Sequence, residues 1–133
     1  MNTIKKTGGI FAALCVLLLA TGAQIVQAES SMPTANRVEK PSRVCMVNNM
    51  LMASEMIPVE VDGKTYYGCC PMCAGRIKKD FSIRHATDPI TGNQVDKAEA
   101  VMAFTDEKKI LYFESEESYA KYKESAPDKE GEE

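Results

Sequence analysis

The chain has 133 residues, of which 44% are apolar, and this length suits one small domain or two very small ones. Its formal net charge of −3 becomes −5 when Lys5 and Lys6, near the start of the chain, are left out. This acidic balance provides no basic face, so we expect no nucleic-acid partner.

Residues 1–28 have the organisation of a secretory signal peptide. Lys5 and Lys6 give a positive start, residues 10–20 form an uncharged apolar run, and small residues precede Glu29. The run is shorter than the about 20 apolar residues that a membrane-spanning helix needs. We therefore expect an exported protein that begins at Glu29, has lost Cys15 with the signal, and has no membrane span after cleavage.

The region before the first cysteine of the mature chain has no regular pattern. Residues 29–42 are polar, contain two prolines and show no periodicity, which predicts a flexible leader. From Val44 the pattern tightens, because residues 45–47 open an apolar segment and Asn48-Asn49 marks a turn.

A hairpin followed by a helix comes next. Residues 59–61 alternate between apolar and polar, Asp62-Gly63 is a strong two-residue hairpin signal, and residues 64–67 return as the second strand. Pro71 suits the first turn of a helix, where a missing N–H costs nothing, and residues 72–81 have the pattern of a short amphipathic helix.

The second half of the chain repeats this plan. After a turn at residues 88–93, residues 101–104 and 110–113 predict two strands, and Ser115 is a plausible N-cap for a helix that ends near residue 125. We therefore expect an α+β fold of two small β-hairpin-plus-helix units packed together, at residues 43–84 and 85–126, with a charged tail at 127–133.

Superposing the return strand of the first unit on that of the second aligns the cysteines of the first unit with other residue types. The aligned pairs are Cys69 with Glu114, Cys73 with Ser118 and, after one residue of slippage, Cys45 with Thr91. One unit would then be a metal site and the other its metal-free scaffold. The alternative is a chance likeness, because this supersecondary unit is common.

Three cysteines have the spacing of a soft-metal site. Cys69 and Cys73 are four apart, which places both sulfurs on one face of a helix's first turn. Cys45 lies well before them in the sequence, and the intervening hairpin can fold it back. The helix N-terminus favours thiolates, which bind Cu(I), Zn(II), Ag(I) or Hg(II). Cys70 is a possible fourth ligand or a resolving thiol.

The methionines also favour a soft-metal site, although less strongly than the cysteines do. Five of them flank the cysteines, and their thioethers suit Cu(I) far better than Zn(II), although methionine is also a common core filler. We keep Met46 and Met72 as further ligand candidates because each adjoins a cysteine. The only histidine, His85, has the position of an exposed or capping residue just beyond a helix.

Two other functions fit the same cysteines. Cys70-Pro71-Met72-Cys73 is a Cys-x-x-Cys that opens a helix, as in thiol-disulfide oxidoreductases, although those enzymes place it in an alternating strand-helix-strand order. A closed zinc or disulfide staple could instead stabilise a domain with a small core. The fourth ligand would decide between a staple and a transfer site.

The motif around these cysteines resembles a known family. Cys45 followed by Tyr66-Tyr67-Gly68-Cys69 and Cys73 is similar to the TRASH domain, a cysteine and then Cys-x-x-x-Cys after a spacer of about two dozen residues. The resemblance implies a treble-clef-like hairpin-plus-helix fold, the ligands Cys45, Cys69 and Cys73, and a role in trafficking, resistance to or sensing of heavy metals.

The second half is similar to the related YHS domain, through residues 88–92 and 111–115. It departs from the YHS pattern at Thr91, Glu114 and Ser118, where cysteines are often found. Exported members of these families imply copper or mercury handling in a bacterial periplasm or cell envelope, with another envelope metal-handling protein as a partner. We therefore expect a protein that binds Cu(I), or else Zn(II) or Hg(II), and that is not an enzyme.

Overall fold

The computed structural model describes residues 32–126, so the predicted signal peptide and charged tail lie outside the described residues. The described chain has an α+β fold of small antiparallel sheets and two α-helices, which confirms the predicted class. Neither helix within residues 32–126 has the length and apolar character needed to cross a membrane.

Nine strands and two α-helices follow one another along the described part of the chain. The strands are β1 Ala35–Arg37, β2 Val44–Cys45, β3 Met50–Leu51, β4 Ile57–Val61, β5 Lys64–Gly68, β6 His85–Thr87, β7 Gln94–Asp96, β8 Val101–Thr105 and β9 Ile110–Phe113. The helices are α1 Pro71–Lys79 and α2 Glu116–Ser125. The strand order β1-β8-β9 makes one sheet, while β2-β3, β4-β5 and β6-β7 are antiparallel pairs.

The hairpin and helix of the first half form as their local signals predict. Asp62 and Gly63 have φ angles of 51° and 76°, the left-handed values that a tight hairpin turn requires. Pro71 occupies the first turn of α1, and Ile77 of this helix is fully buried in the core. The helix ends at Lys79, earlier than predicted, because Asp80 caps the next turn by accepting from the N–H of Ser82.

The second half has the same order of elements. Strands β8 and β9 pair from Val101–Phe113 to Phe104–Ile110, and α2 begins directly after its predicted N-cap, Ser115. The N-cap residues of the two helices have nearly the same backbone conformation, with φ and ψ of −156° and 167° at Cys70 and of −155° and 165° at Ser115. Both halves thus contain an antiparallel strand pair followed by a helix, an order compatible with two hairpin-plus-helix units.

Residues 32–42 differ from the flexible leader that the sequence predicted. β1 pairs with β8 from Ala35–Thr105 to Arg37–Ala103, and Ala35 is buried. The hydroxyls of Tyr119 and Tyr122 on α2 donate to the carbonyls of this segment. The strand is thus held by hydrogen bonds from β8 and α2, and its own sequence shows little apolar alternation.

The two units share one core and are joined by backbone hydrogen bonds. Buried side chains from both halves form the main cluster: Val38, Val44, Met46, Val59, Tyr66, Ile77, Val95, Met102, Ile110 and Tyr112. Leu51 N donates to Lys108 O at 2.8 Å, and Ile110 N donates to Asn49 O at 2.8 Å. The β2-β3 hairpin, which carries Cys45, is therefore fixed against the second unit.

Candidate metal centre

Cys45, Cys69 and Cys73, which are not contiguous in sequence, come together at the start of α1. Their three sulfur atoms all lie within 4.8 Å of one another, and the Cys69 and Cys73 sulfurs are 3.5 Å apart. Cys45 and Cys73 are buried and Cys69 is half-buried, and all three are free thiols. The structure thus assembles the three cysteines that the sequence predicted as ligands.

Backbone geometry explains how the three sulfurs meet. Met46 N donates to Tyr67 O at 2.9 Å, which places the end of β2 beside the end of β5, and Cys69 follows β5 directly. A Cβ atom at Gly68 would lie 3.0 Å from Ala74 N and 3.1 Å from Cys73 Cβ. Glycine is therefore needed here, because the strand end and the helix start approach so closely.

The environment of Cys45 favours its thiolate. Burial alone would raise the pKa of this thiol. Hydrogen bonds from the N–H of Asn48, from the side chain and N–H of Cys69 and from the N–H of Val47 outweigh burial, so the pKa of Cys45 lies below its usual value. A lower pKa favours the thiolate, which is the form of cysteine that binds a metal.

The other two thiols of the cluster hold their protons more tightly. Hydrogen bonding with Cys45 and Cys73 raises the pKa of Cys69 to about 12. Burial raises the pKa of Cys73. Since a metal ion binds thiolates, loading this cluster would release protons from Cys69 and Cys73.

A buried lysine supports the turn that follows Cys45. The Lys97 ammonium donates to Met46 O and to Asn49 Oδ1, each at 2.7 Å, and lies 5.2 Å from the centre of the Tyr112 ring. Burial lowers the pKa of Lys97 to about 8. Sequence reasoning missed this residue because a single lysine between two predicted strands carries no signal of burial.

Cys70 acts as the N-cap of α1. Its sulfur accepts from Cys73 N at 3.4 Å, as the Ser115 hydroxyl accepts from Ser118 N at 3.2 Å in the second unit. That bond from Cys73 N lowers the pKa of Cys70. Cys70 is not among the residues whose ligand atoms cluster, so its capping position accounts for it without a metal.

The methionines that share a packing cluster with the cysteines differ from the two that the sequence favoured. Met46 is 1% exposed and packs in the core shared by the two units, whereas Met72 is 75% exposed. Within residues 32–126, Met52 and Met56 are the methionines that pack against the cysteines. Neighbouring residues on a strand or a helix point in different directions, so a methionine next to a cysteine in sequence need not pack against it.

His85 lies away from the sulfurs. Its ring stacks on Phe81 at a centroid distance of 4.0 Å, and its Nδ1 is 3.0 Å from Phe81 O. This placement agrees with the capping role favoured from the sequence.

In the second unit a buried carboxylate lies where the first unit has its cysteine cluster. Asp88 Oδ1 accepts from Ile90 N at 2.7 Å and Thr91 N at 3.2 Å, while Oδ2 accepts from Glu114 N at 2.8 Å and from the Ser118 hydroxyl. Cys45 has the same pattern, with N–H groups two and three positions further along and a third at Cys69.

Asp88 is therefore the counterpart of Cys45, and the predicted pairing of Thr91 with Cys45 is corrected. The positive φ angles of Asn49 and Gly92, 53° and 74°, agree with this alignment. The offset that pairs Cys45 with Asp88 is two positions shorter than the one that pairs Cys69 with Glu114. The segment between the two aligned positions is therefore two residues longer in the second unit. An alignment with a constant offset does not pair Asp88 with Cys45 for this reason.

The three sulfurs form an arrangement that can hold a soft metal ion. No family model, curated protein or solved structure matches this chain. The resemblance to TRASH and YHS domains therefore stays a prediction from sequence motifs, and the chemistry of the site rests on its own geometry. That geometry provides three thiols, two of them buried, at the positive end of a helix.

Proposed function

We propose that this protein binds a soft metal ion, Cu(I) before Zn(II) or Hg(II), through Cys45, Cys69 and Cys73. The observation that carries the proposal is the convergence of these three sulfurs within 4.8 Å. The ion is cargo for trafficking, buffering or resistance, and the protein is not an enzyme.

The number and kind of ligands favour Cu(I). Structural zinc sites are almost always closed by four ligands, whereas here three thiols cluster and no His, Asp, Glu or fourth Cys within residues 32–126 joins them. Thiolates are the ligands that soft Cu(I) prefers. The half-buried Cys69 provides the edge at which a partner's thiol would approach during transfer.

The proposed setting is the periplasm or cell envelope of a bacterium, where another envelope metal-handling protein exchanges the ion. The signal-like features of residues 1–28 support export, and the motifs at Cys45, Cys69 and Cys73 support a tandem TRASH- and YHS-type protein.

One observation favours the redox alternative. Cys70 caps α1 and its pKa is lowered by the N–H of Cys73, as expected of an attacking thiol. However, Cys73 is buried and its sulfur lies in the cluster with Cys45 and Cys69, which favours the metal over a Cys70–Cys73 redox pair.

A matched pair of variants tests the proposal. We expect the reduced mature protein to bind about one Cu(I) per chain, Cys45→Ser to lose at least two orders of magnitude in affinity, and Cys70→Ser to bind as the wild type does, because serine caps the second helix in the same way. The measurement is a competitive titration with Cu(I) and with Zn(II), with free thiols counted before and after.

Unchanged Cu(I) affinity in Cys45→Ser would contradict the site. Tight tetrahedral zinc without copper preference would favour a staple. Metal-free disulfide cycling that disappears in Cys70→Ser would favour the redox protein.

A further inference from the structure

The cysteine cluster has a further buried member that is not a cysteine. Met56 is 9% exposed and joins Cys45 and Cys73 as the third buried residue of the local cluster, while the half-buried Met52, Cys69 and Cys70 pack against it. The sequence places Met56 beyond the β2-β3 hairpin that begins with Cys45, so the contact depends on how the chain folds back.

Backbone hydrogen bonds fix the segment that carries Met56. Met52 N donates to Arg43 O and Met56 N donates to Ser42 O, both at 2.7 Å. The Arg43 side chain also donates from Nε to Met52 O at 3.0 Å. Residues 52–56 are thus tied at both ends to the chain just before Cys45, which holds Met56 beside the sulfurs.

From this placement we propose that the Met56 thioether is the fourth ligand of the metal and makes the site selective for Cu(I). The inference rests on the proposed function. Met52 and Cys70 also pack against the cluster, but both are only half-buried and Cys70 caps α1. Met46 belongs to the shared core and Met72 is exposed, so Met56 is the buried thioether at the cluster.

The charge and softness of a thioether suit this position. Three thiolates around Cu(I) already carry a net charge of −2, and a fourth anionic ligand in a half-buried site would add to the desolvation cost. A thioether is neutral and is a ligand for Cu(I) but not for Zn(II), which prefers thiolate, imidazole or carboxylate. Met56 therefore adds affinity for Cu(I) and not for Zn(II).

A purely structural role predicts a different outcome. If Met56 only fills space, leucine of similar volume and apolar character would replace it with little effect. Met56→Leu consequently separates ligation from packing. Met46→Leu is its matched control, because Met46 is also a buried methionine but belongs to the core shared by the two units and is absent from the cluster of the cysteines.

We expect Met56→Leu to lose at least tenfold in Cu(I) affinity and to keep Zn(II) affinity within about twofold, while Met46→Leu keeps both. The measurement is a competition between the reduced mature protein and a chromogenic Cu(I) chelator. Equal Cu(I) affinity in Met56→Leu and in the wild type would overturn the inference.

Selenomethionine labelling provides a direct readout. Selenium-edge X-ray absorption of the Cu(I)-loaded, labelled protein should show a copper neighbour in the wild type and in Met46→Leu, and none in Met56→Leu. A wild type that binds Cu(I) with no copper beside selenium refutes the Met56 ligand but leaves the three-cysteine site standing. A wild type that fails to bind Cu(I) refutes the proposed function as well.

Discussion

Asp88→Asn removes the charge that closes the second unit while keeping the shape of the side chain. The Asp88 side chain is fully buried, and its two oxygens accept four hydrogen bonds. An asparagine keeps one acceptor oxygen, so its amide N–H₂ must face either the pair from Ile90 N and Thr91 N or the pair from Glu114 N and Ser118 Oγ–H.

The expected cost follows from these four bonds. At least one backbone N–H is left buried without an acceptor, which costs about 1–3 kcal/mol. The two bonds that remain become bonds to a neutral oxygen, which contribute about 1 kcal/mol less each than bonds to a carboxylate. We therefore expect a loss of about 3–5 kcal/mol, a large part of the stability of a domain of this size.

Urea denaturation of the metal-free, reduced protein, followed by far-UV circular dichroism, measures this loss. Asp106→Asn is the matched control, because Asp106 is an exposed carboxylate in the β8-β9 turn, and its change should stay within about 0.5 kcal/mol. The dependence of the free energy of unfolding on urea concentration should be unchanged, since the surface exposed on unfolding is the same.

Loading with Cu(I) tests whether the two units contribute independently to the free energy of unfolding. It should stabilise the wild type and Asp88→Asn equally, because Asp88 and the sulfurs lie in different units. A loss below about 1 kcal/mol, or a loss that disappears on loading with Cu(I), would refute the view that Asp88 closes the second unit independently of the metal.

Three further predictions concern Asp88, the Cys45 turn and the equivalence of the two units. Burial raises the pKa of Asp88, but its hydrogen bonds outweigh burial and lower the pKa. The stabilisation that Asp88 provides is therefore complete above about pH 4 and is lost as the pH falls through the pKa of the folded state. The free energies of unfolding of the wild type and Asp88→Asn should consequently converge at low pH. Lys97→Met removes two bonds to the Cys45 turn and should weaken Cu(I) binding about 10- to 100-fold in a chelator competition, whereas unchanged affinity would show that the turn holds without it. Replacing Asp88, Glu114 and Ser118 together by cysteine should raise the stoichiometry to about two Cu(I) per chain, and a value of one in the folded variant would contradict the equivalence of the two units.

The parts of this fold that the sequence predicted are those with a local cause. The turn at Asp62-Gly63, the helix start at Pro71 and the N-cap at Ser115 each depend on chemistry within about four residues. The ligand spacing of Cys69 and Cys73 is local in the same sense, since it follows from one turn of helix.

The parts that sequence reasoning missed depend on partners distant in the chain. β1 is ordered by hydrogen bonds from β8 and α2, and its own three residues carry no strand pattern. Asp88 replaces Cys45 with a different chemistry and at a different offset. Met56 reaches the sulfurs because residues 52–56 fold back onto Ser42 and Arg43. None of these contacts leaves a periodicity or spacing that a single sequence displays.

One unit has a cysteine cluster and the other a buried carboxylate at the corresponding position, and this difference gives a physical reason for pairing the two units. A small domain that depends on a metal for its fold unfolds when the metal leaves, which would prevent repeated transfer. Here Asp88 closes the second unit without a metal, and that unit holds the Cys45 turn through Lys97 and through Ile110 N. Under the proposed function, the first unit would release its ion while the shared core keeps Cys45, Cys69 and Cys73 assembled for the next one.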